Sequence, residues 1–295
     1  VLALIETGDG SPAAQGAIER GQNWLLEHLP SLRRGSPDAL YNIWGHGYGV
    51  QALARLYTLR AGDDALRERI RGVLSGQIEL LDRFASVDGG WGYYDFRAQT
   101  QRPASDSTSF MNGAVLIALR QAKEIGVELP APMVQRAIDA TLRQRKSDGT
   151  FLYGEYLKWQ PMHPINRPGG SLGRSQACNV ALRQWGDAKI TDEVISRWLD
   201  QLFARDLWLD LGRKRPVPHS SFYAVAGYFY YFGHYYAALA IDELPASERD
   251  RHFDQLVLRL MPLQEKDGSW WDYPLYNYHQ QYGTAFALLS LARCR

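Results

Sequence analysis

The sequence predicts an all-α protein whose helical hairpins form an inner and an outer layer, either as an open solenoid or, as the buried inner helices favour, around a complete or incomplete ring, an α/α toroid. Three observations lead there. A short turn phrase recurs at a regular interval, amphipathic and uniformly apolar helical segments alternate between the turns, and almost nothing alternates with the period of a strand. The turn phrase is Asp88-Gly89-Gly90-Trp91, then Asp148-Gly149-Thr150-Phe151, then Asp267-Gly268-Ser269-Trp270. The first interval is 60 residues and the second 119, close to twice the first, with Asp206-Leu207-Trp208 near the place of a missing copy.

Each amphipathic helix is expected ahead of a turn or of its apolar partner: near 13–28, 65–84, 131–145, 191–205 and 247–263. Segments such as Val194-Ile195-Ser196-Arg197-Trp198-Leu199 place their polar residues on one side, as a helix with one wet face requires. The apolar partners are expected near 42–60, 106–125, 172–185, 222–241 and 279–292, and all five carry an Ala-Leu pair, at Ala52-Leu53, Ala118-Leu119, Ala181-Leu182, Ala238-Leu239 and Ala287-Leu288. Pro12, Pro132 and Pro245 suit helix starts, where a missing N–H costs nothing. Asp106, Thr191 and Ser221 are candidate N-caps, and Gly126 and Gly186 are stop signals. The whole of 1–295 is read as one domain of about five hairpins.

Bulk composition narrows the partners. With 33 basic and 32 acidic residues the net charge is +1, which argues against a nucleic-acid face. The expected partner is a small isoprenoid or a glycan. Cys178 and Cys294 make neither a disulfide framework nor a zinc site, so no metal and no cofactor is expected. The run from Ser221 to Ile241 is long and apolar enough to consider as a membrane span. Its six tyrosines fit a buried core helix better, so no integral span is expected, while peripheral membrane contact stays compatible. The chain begins at Val1, so a targeting peptide would precede it and the compartment, cytoplasmic, periplasmic or secreted, is left open.

Gln264-Glu265-Lys266-Asp267-Gly268-Ser269-Trp270 resembles the Q-x3-G-x-W core of the QW motif of squalene and terpene cyclases. Gln144 to Phe151 is similar to a weaker copy, and Tyr282 to Leu289 resembles the inner-helix segment that follows the motif. The resemblance to this prenyltransferase and squalene-cyclase repeat group extends as a pattern from about Leu53 onward. It implies an α/α toroid. It also implies that Asp106, in Ser105-Asp106-Ser107-Thr108, matches the middle aspartate of the D-x-D-D-T acid motif, although Ala104 and Ser107 replace the flanking aspartates. In such an enzyme a protonated aspartate initiates carbocation cyclisation and aromatic faces stabilise the cation.

Further candidates follow from the residues themselves. His46 and His234, on two inner helices, would be acid/base groups if both faced one cavity. Trp44, Tyr48, Tyr93, Tyr94, Tyr223, Trp271, Tyr278 and Tyr282 lie on inner-helix starts or the loops before them and would bind substrate; the turn aromatics Trp91, Phe151 and Trp270 would staple hairpins instead. Arg174, at the start of an inner helix, would clamp an anionic group or pair with Asp106 or Glu155.

Three functions fit these residues. The first is a cyclase-like enzyme acting on an isoprenoid. The second is a polysaccharide lyase, with a tyrosine or histidine base, or a glycoside hydrolase using two carboxylates such as Asp95 and Asp272. The third is a non-catalytic binding toroid.

Overall fold

The computed structural model describes residues 1–35, 41–103, 106–274 and 278–294. Among them are twelve α-helices and no β-strand, only isolated bridges, so the chain is all-helical as its patterning requires. The described chain divides into two compact units, one of residues 1–143 with 154–156, the other of 144–153 with 157–295.

The first unit holds α1 (Leu2–Thr7), α2 (Pro12–His28), α3 (Asn42–Leu59), α4 (Asp64–Phe84), α5 (Ser109–Glu124) and α6 (Ala131–Arg143). Helices α3 and α5 are buried along nearly their whole length and pack on each other. Helix α4 covers α3, and α6 covers α5; each buries one stripe and leaves the opposite face to water. Ser11 caps α2 through Ala14 N–H (3.2 Å), and Asp63 caps α4 through Leu66 N–H (3.0 Å).

The second unit holds α7 (Leu172–Gln184), α8 (Asp192–Ala204), α9 (Leu207–Asp210), α10 (Phe229–Asp242), α11 (Ala246–Leu260) and α12 (His279–Leu291). Helix α10 packs between α7 and α12, while α8 and α11 form the amphipathic cover. A Cβ on Gly173 would stand 3.1 Å from the Cα of Gly233, so α7 and α10 approach as closely as they do only because both residues lack a side chain. No helix of the described residues is long and apolar enough to cross a membrane; α10 is buried within its own unit.

The repeated turn is one structure copied three times. Ser86 N–H donates to Gly90 C=O, Lys146 N–H to Thr150 C=O and Glu265 N–H to Ser269 C=O, each at 2.8 Å. Gly89, Gly149 and Gly268 supply the left-handed backbone these turns need, at φ 93°, 79° and 87°. The aromatic residue that follows bonds through its N–H to a side chain near the start of its inner helix: Trp91 to Asn112 (2.8 Å), Phe151 to Ser171 (3.1 Å) and Trp270 to Thr284 (3.0 Å). The two indoles also donate back to the covering helix, Trp91 Nε1 to Leu81 O (2.7 Å) and Trp270 Nε1 to Leu260 O (2.9 Å). These rings staple hairpins.

Two helix starts differ from expectation. Helix α5 begins at Ser109 with Thr108 in the cap position, so Asp106 is no cap. Helix α10 begins at Phe229; Phe222 to Tyr228 form a loop, and Ser221 bonds Val225 across it rather than capping a helix.

Candidate functional site

In the first unit, six aromatic rings gather where α3 begins. Trp44 and Tyr48, one turn apart on α3, are stacked at 5.5 Å, and Phe110 from α5 lies 6.0 Å from Trp44 and from Tyr93. Tyr41 meets Tyr93 at 4.7 Å and Tyr94 at 5.4 Å, and the Arg34 guanidinium stands 4.0 Å over Tyr94. Tyr41 is exposed, and Trp44, Tyr48, Tyr93 and Tyr94 are half-buried, so rings remain open to water. Asp95 beside them is committed: it accepts from Arg34 Nε (3.1 Å) and from Phe96 N–H (2.6 Å), and it is 5% exposed.

In the second unit, a loop from Arg213 to Ala226 closes on itself. A Cβ on Gly227 would fall 2.7 Å from Asp272 O and 2.6 Å from Gly212 O, so the two ends of the loop meet against the backbone of Asp272. Three of the four described non-glycine residues with left-handed backbone lie in this loop: Lys214 (φ 62°), His219 (φ 60°) and Ala224 (φ 52°). Such residues cost of order 1–3 kcal/mol each and persist only where contacts hold them. His219 is exposed, and its Nδ1 lies 2.6 Å from Ala224 O. A carbonyl only accepts, so Nδ1 carries the proton and Nε2 is left as the proton-accepting nitrogen of the neutral ring. Tyr153 flanks His219 edge-on at 5.8 Å and Tyr228 at 6.5 Å, and Tyr273 packs on Tyr228 at 5.5 Å. Tyr282 Oη donates to Tyr228 O (2.8 Å), and burial pushes that phenol well above its usual range. Trp271 carries Lys214 Nζ 4.4 Å over its ring and meets His279 at 5.2 Å. Tyr223 is half-buried and packs edge-on against Trp208 at 4.7 Å, while Tyr278 is exposed at the start of α12.

Asp272 lies beneath this loop and is fully buried. Its Oδ2 accepts from Tyr231 N–H at 3.1 Å, while Oδ1 has no hydrogen-bond partner. Burial pushes the carboxyl up to about 8 against the opposing pull of the Tyr231 N–H and nearby Arg213. It holds a proton at neutral pH.

Neither histidine nominated from sequence is exposed to solvent. His46 is buried against the covering helix α4, Nδ1 2.7 Å from Gln77 Oε1, and burial holds it below its usual range against the pull of Gln77. His234 is equally buried, Nδ1 2.7 Å from Tyr230 O and Nε2 3.0 Å from Asp206 Oδ1. Burial pushes Asp206 up, but His234, Arg259 and Tyr230 outweigh it and hold the carboxyl low. Both histidines tie layers within their own unit. Asp106 corrects the acid assignment: it is exposed, whereas a proton-donating carboxyl needs burial, and Ser105 lies outside the described residues. Arg174 is corrected too. It is 3% exposed and donates to the carbonyls of Phe151 (2.9 Å), Gly170 (2.6 Å) and Ile165, so it pins the chain before α7 rather than clamping an anion, and Glu155 accepts from Arg143 Nε (2.7 Å). Asp95 and Asp272, each buried, are not carboxylates presented to a substrate.

A further trio in the second unit has the order of a nucleophile relay without its geometry. Ser196 Oγ lies 3.3 Å from His252 Nε2, and His252 Nδ1 3.8 Å from Asp200 Oδ1. The second gap is too long for a hydrogen bond. Ser196 also sits inside α8, where backbone N–H groups are spent on the helix and none is left for an oxyanion.

No protein-family model and no curated protein matches the sequence. A solved structure described as a polysaccharide lyase aligns over 99% of this chain and 87% of that one, with TM-score 0.45 and 11% identity. So remote a likeness transfers no residue and no activity to this chain.

Tyr223, Trp271, Tyr278 and Tyr282, nominated from sequence as substrate-binding, all fall in the second unit. His219 stands out in the sequence only as one of many aromatic and polar side chains near the inner-helix starts, with no role of its own, and Tyr228 and Tyr273 have none. The signal was present: Pro216 and Pro218 flank Val217 just ahead of His219, and prolines so placed mark a loop rather than the approach to a helix.

Proposed function

We propose that this chain is a glycan-active enzyme of the lyase type, with His219 as its base. The observation that carries the reading is an exposed imidazole whose Nε2 is left to accept a proton, held on a strained loop among tyrosine rings. Sugar rings stack on exposed aromatic faces, and the half-buried rings of Trp44 and Tyr94 in the first unit suit that ligand class.

The chemistry is β-elimination on a uronate. His219 Nε2 takes the proton on the carbon next to the carboxylate, the electrons form a C=C bond, and the glycosidic C–O bond breaks. The leaving oxygen takes a proton from water or a nearby phenol. Arg215, exposed on the same loop, is the cation assigned to the uronate carboxylate, since Arg213 is paired with Asp210 and Lys214 with Glu265. A cyclase lacks support because Asp106 is exposed.

The test is incubation with a panel of uronate polysaccharides, following the ultraviolet absorbance of unsaturated ends. His219→Ala is expected to lower the rate by roughly 100-fold or more. Absence of unsaturated product from every acidic glycan, or unchanged turnover in His219→Ala, overturns the reading.

A further inference from the structure

We propose that Asp272 is a positioning residue, the clasp at the neck of the 213–226 loop that fixes where His219 stands. The inference rests on the reading of His219 as base, and it concerns a residue that touches no substrate.

Four contacts converge on this residue and its neighbour. The Asp272 carboxyl accepts the N–H of Tyr231 in the first turn of α10, a helix with no side-chain cap of its own. Its backbone carbonyl accepts from Lys214 N–H, the first left-handed residue of the loop. Its backbone also presses against Gly227, where no side chain fits between it and Gly212. From the next residue, Tyr273 Oη donates to Pro216 O at 3.2 Å. The start of α10, both ends of the loop and the turn behind Trp270 therefore meet at one residue. A loop carrying three strained residues needs such a closure to keep a single shape.

The carboxyl is also the place where that closure can be loosened. The titratable and charged groups facing it are Tyr231 from α10, Tyr282 from α12 and Arg213 from the turn after α9, beside the Lys214–Glu265 pair. Oδ1 and the Tyr231 hydroxyl are both buried without a hydrogen-bond partner. Neutral, the group keeps the Tyr231 N–H bond at little desolvation cost. Ionised, it places a charge where no water reaches, and the neck relaxes by admitting solvent.

The experiment compares the full-length wild type with Asp272→Asn and Asp272→Ala. It follows hydrogen exchange of residues 213–226, with α3 as the internal reference for intrinsic rate, from pH 6 to about pH 10, around the raised carboxyl value of about 8. Wild type is expected to protect the loop below about pH 8 and to lose roughly tenfold or more protection above it. Asparagine keeps the acceptor and cannot ionise, so its protection stays flat across the range. Alanine removes the acceptor and leaves the loop unprotected throughout. If alanine fails to fold, the contrast between wild type and asparagine still decides. Loop protection in wild type that tracks asparagine at every pH overturns the proposal, as does alanine protection equal to wild type. On a glycan substrate, asparagine is expected to keep neutral-pH kcat and remove an alkaline fall that wild type shows. A loop that responds as expected in a chain that cleaves no glycan supports the clasp and overturns the enzymatic reading alone.

Discussion

The Trp91 and Trp270 turns and the segment from Asp206 to Tyr228 occupy comparable places in the repeat and behave in opposite ways. At the two tryptophan turns, the backbone N–H and the indole N–H of the tryptophan each have a fixed partner. The glycine takes the left-handed residue, and the indole bonds the covering helix while its backbone N–H bonds the inner helix. Between Asp206 and Tyr228 no such turn forms. Asp206 is drawn to His234, and the left-handed positions are taken by lysine, histidine and alanine. Regularity spends aromatic and polar groups on holding hairpins together. Where the repeat lapses, strain and an exposed histidine collect, as they do at working sites.

The comparison breaks first at the staples. Trp91→Ala is expected to cost about 3–5 kcal/mol, because the ring is fully buried, and urea unfolding reads it directly. A cost below that of a surface substitution would mean the ring holds nothing.

Next is pH. Asp272 is raised to about 8 in the folded chain, so the folded state holds a proton that the unfolded chain has shed above its ordinary carboxylate value. Stability is therefore expected to fall as pH rises from about 4 through about 8 and then to level off. Asp272→Asn should flatten that fall in thermal melts across this window; an unchanged slope assigns the effect to other groups.

Smaller changes sharpen the contrast. Trp91→Phe keeps an aromatic ring, though a smaller one, and leaves the Leu81 carbonyl without its indole donor, a loss of about 1–2 kcal/mol from the hydrogen bond alone. Ala224→Gly in the strained loop should instead stabilise, by about 0.5 kcal/mol once the greater freedom of unfolded glycine is subtracted, while lowering turnover because the loop gains alternatives. Asp106→Asn, at an exposed site, should stay within about 0.5 kcal/mol of wild type and leave turnover unchanged.

Much of this chain could be read without coordinates. The expected bounds 42–60, 172–185 and 279–292 differ by a residue from Asn42–Leu59, Leu172–Gln184 and His279–Leu291. The site was read less well. Phe222-Tyr223-Ala224-Val225-Ala226 looks like helix by composition and becomes loop because Asp272, distant in sequence, holds the first turn of α10. His46 and His234 were placed on the right helices, but the direction of a side chain around a helix is set by what packs there: Gln77 for one and Asp206 for the other.

The sequence by itself determined ten of the twelve helices of the described residues, their order, which are buried and where the three turns fall, because periodicity, glycine and proline act within a few residues. Tertiary structure alone decided that Asp106 is wet, that Arg174 and both inner-helix histidines are structural, and that a strained loop presents His219. Those outcomes depend on pairs such as Asp272 with Lys214 and Tyr231, whose meeting is a property of packing and not of any local stretch of chain.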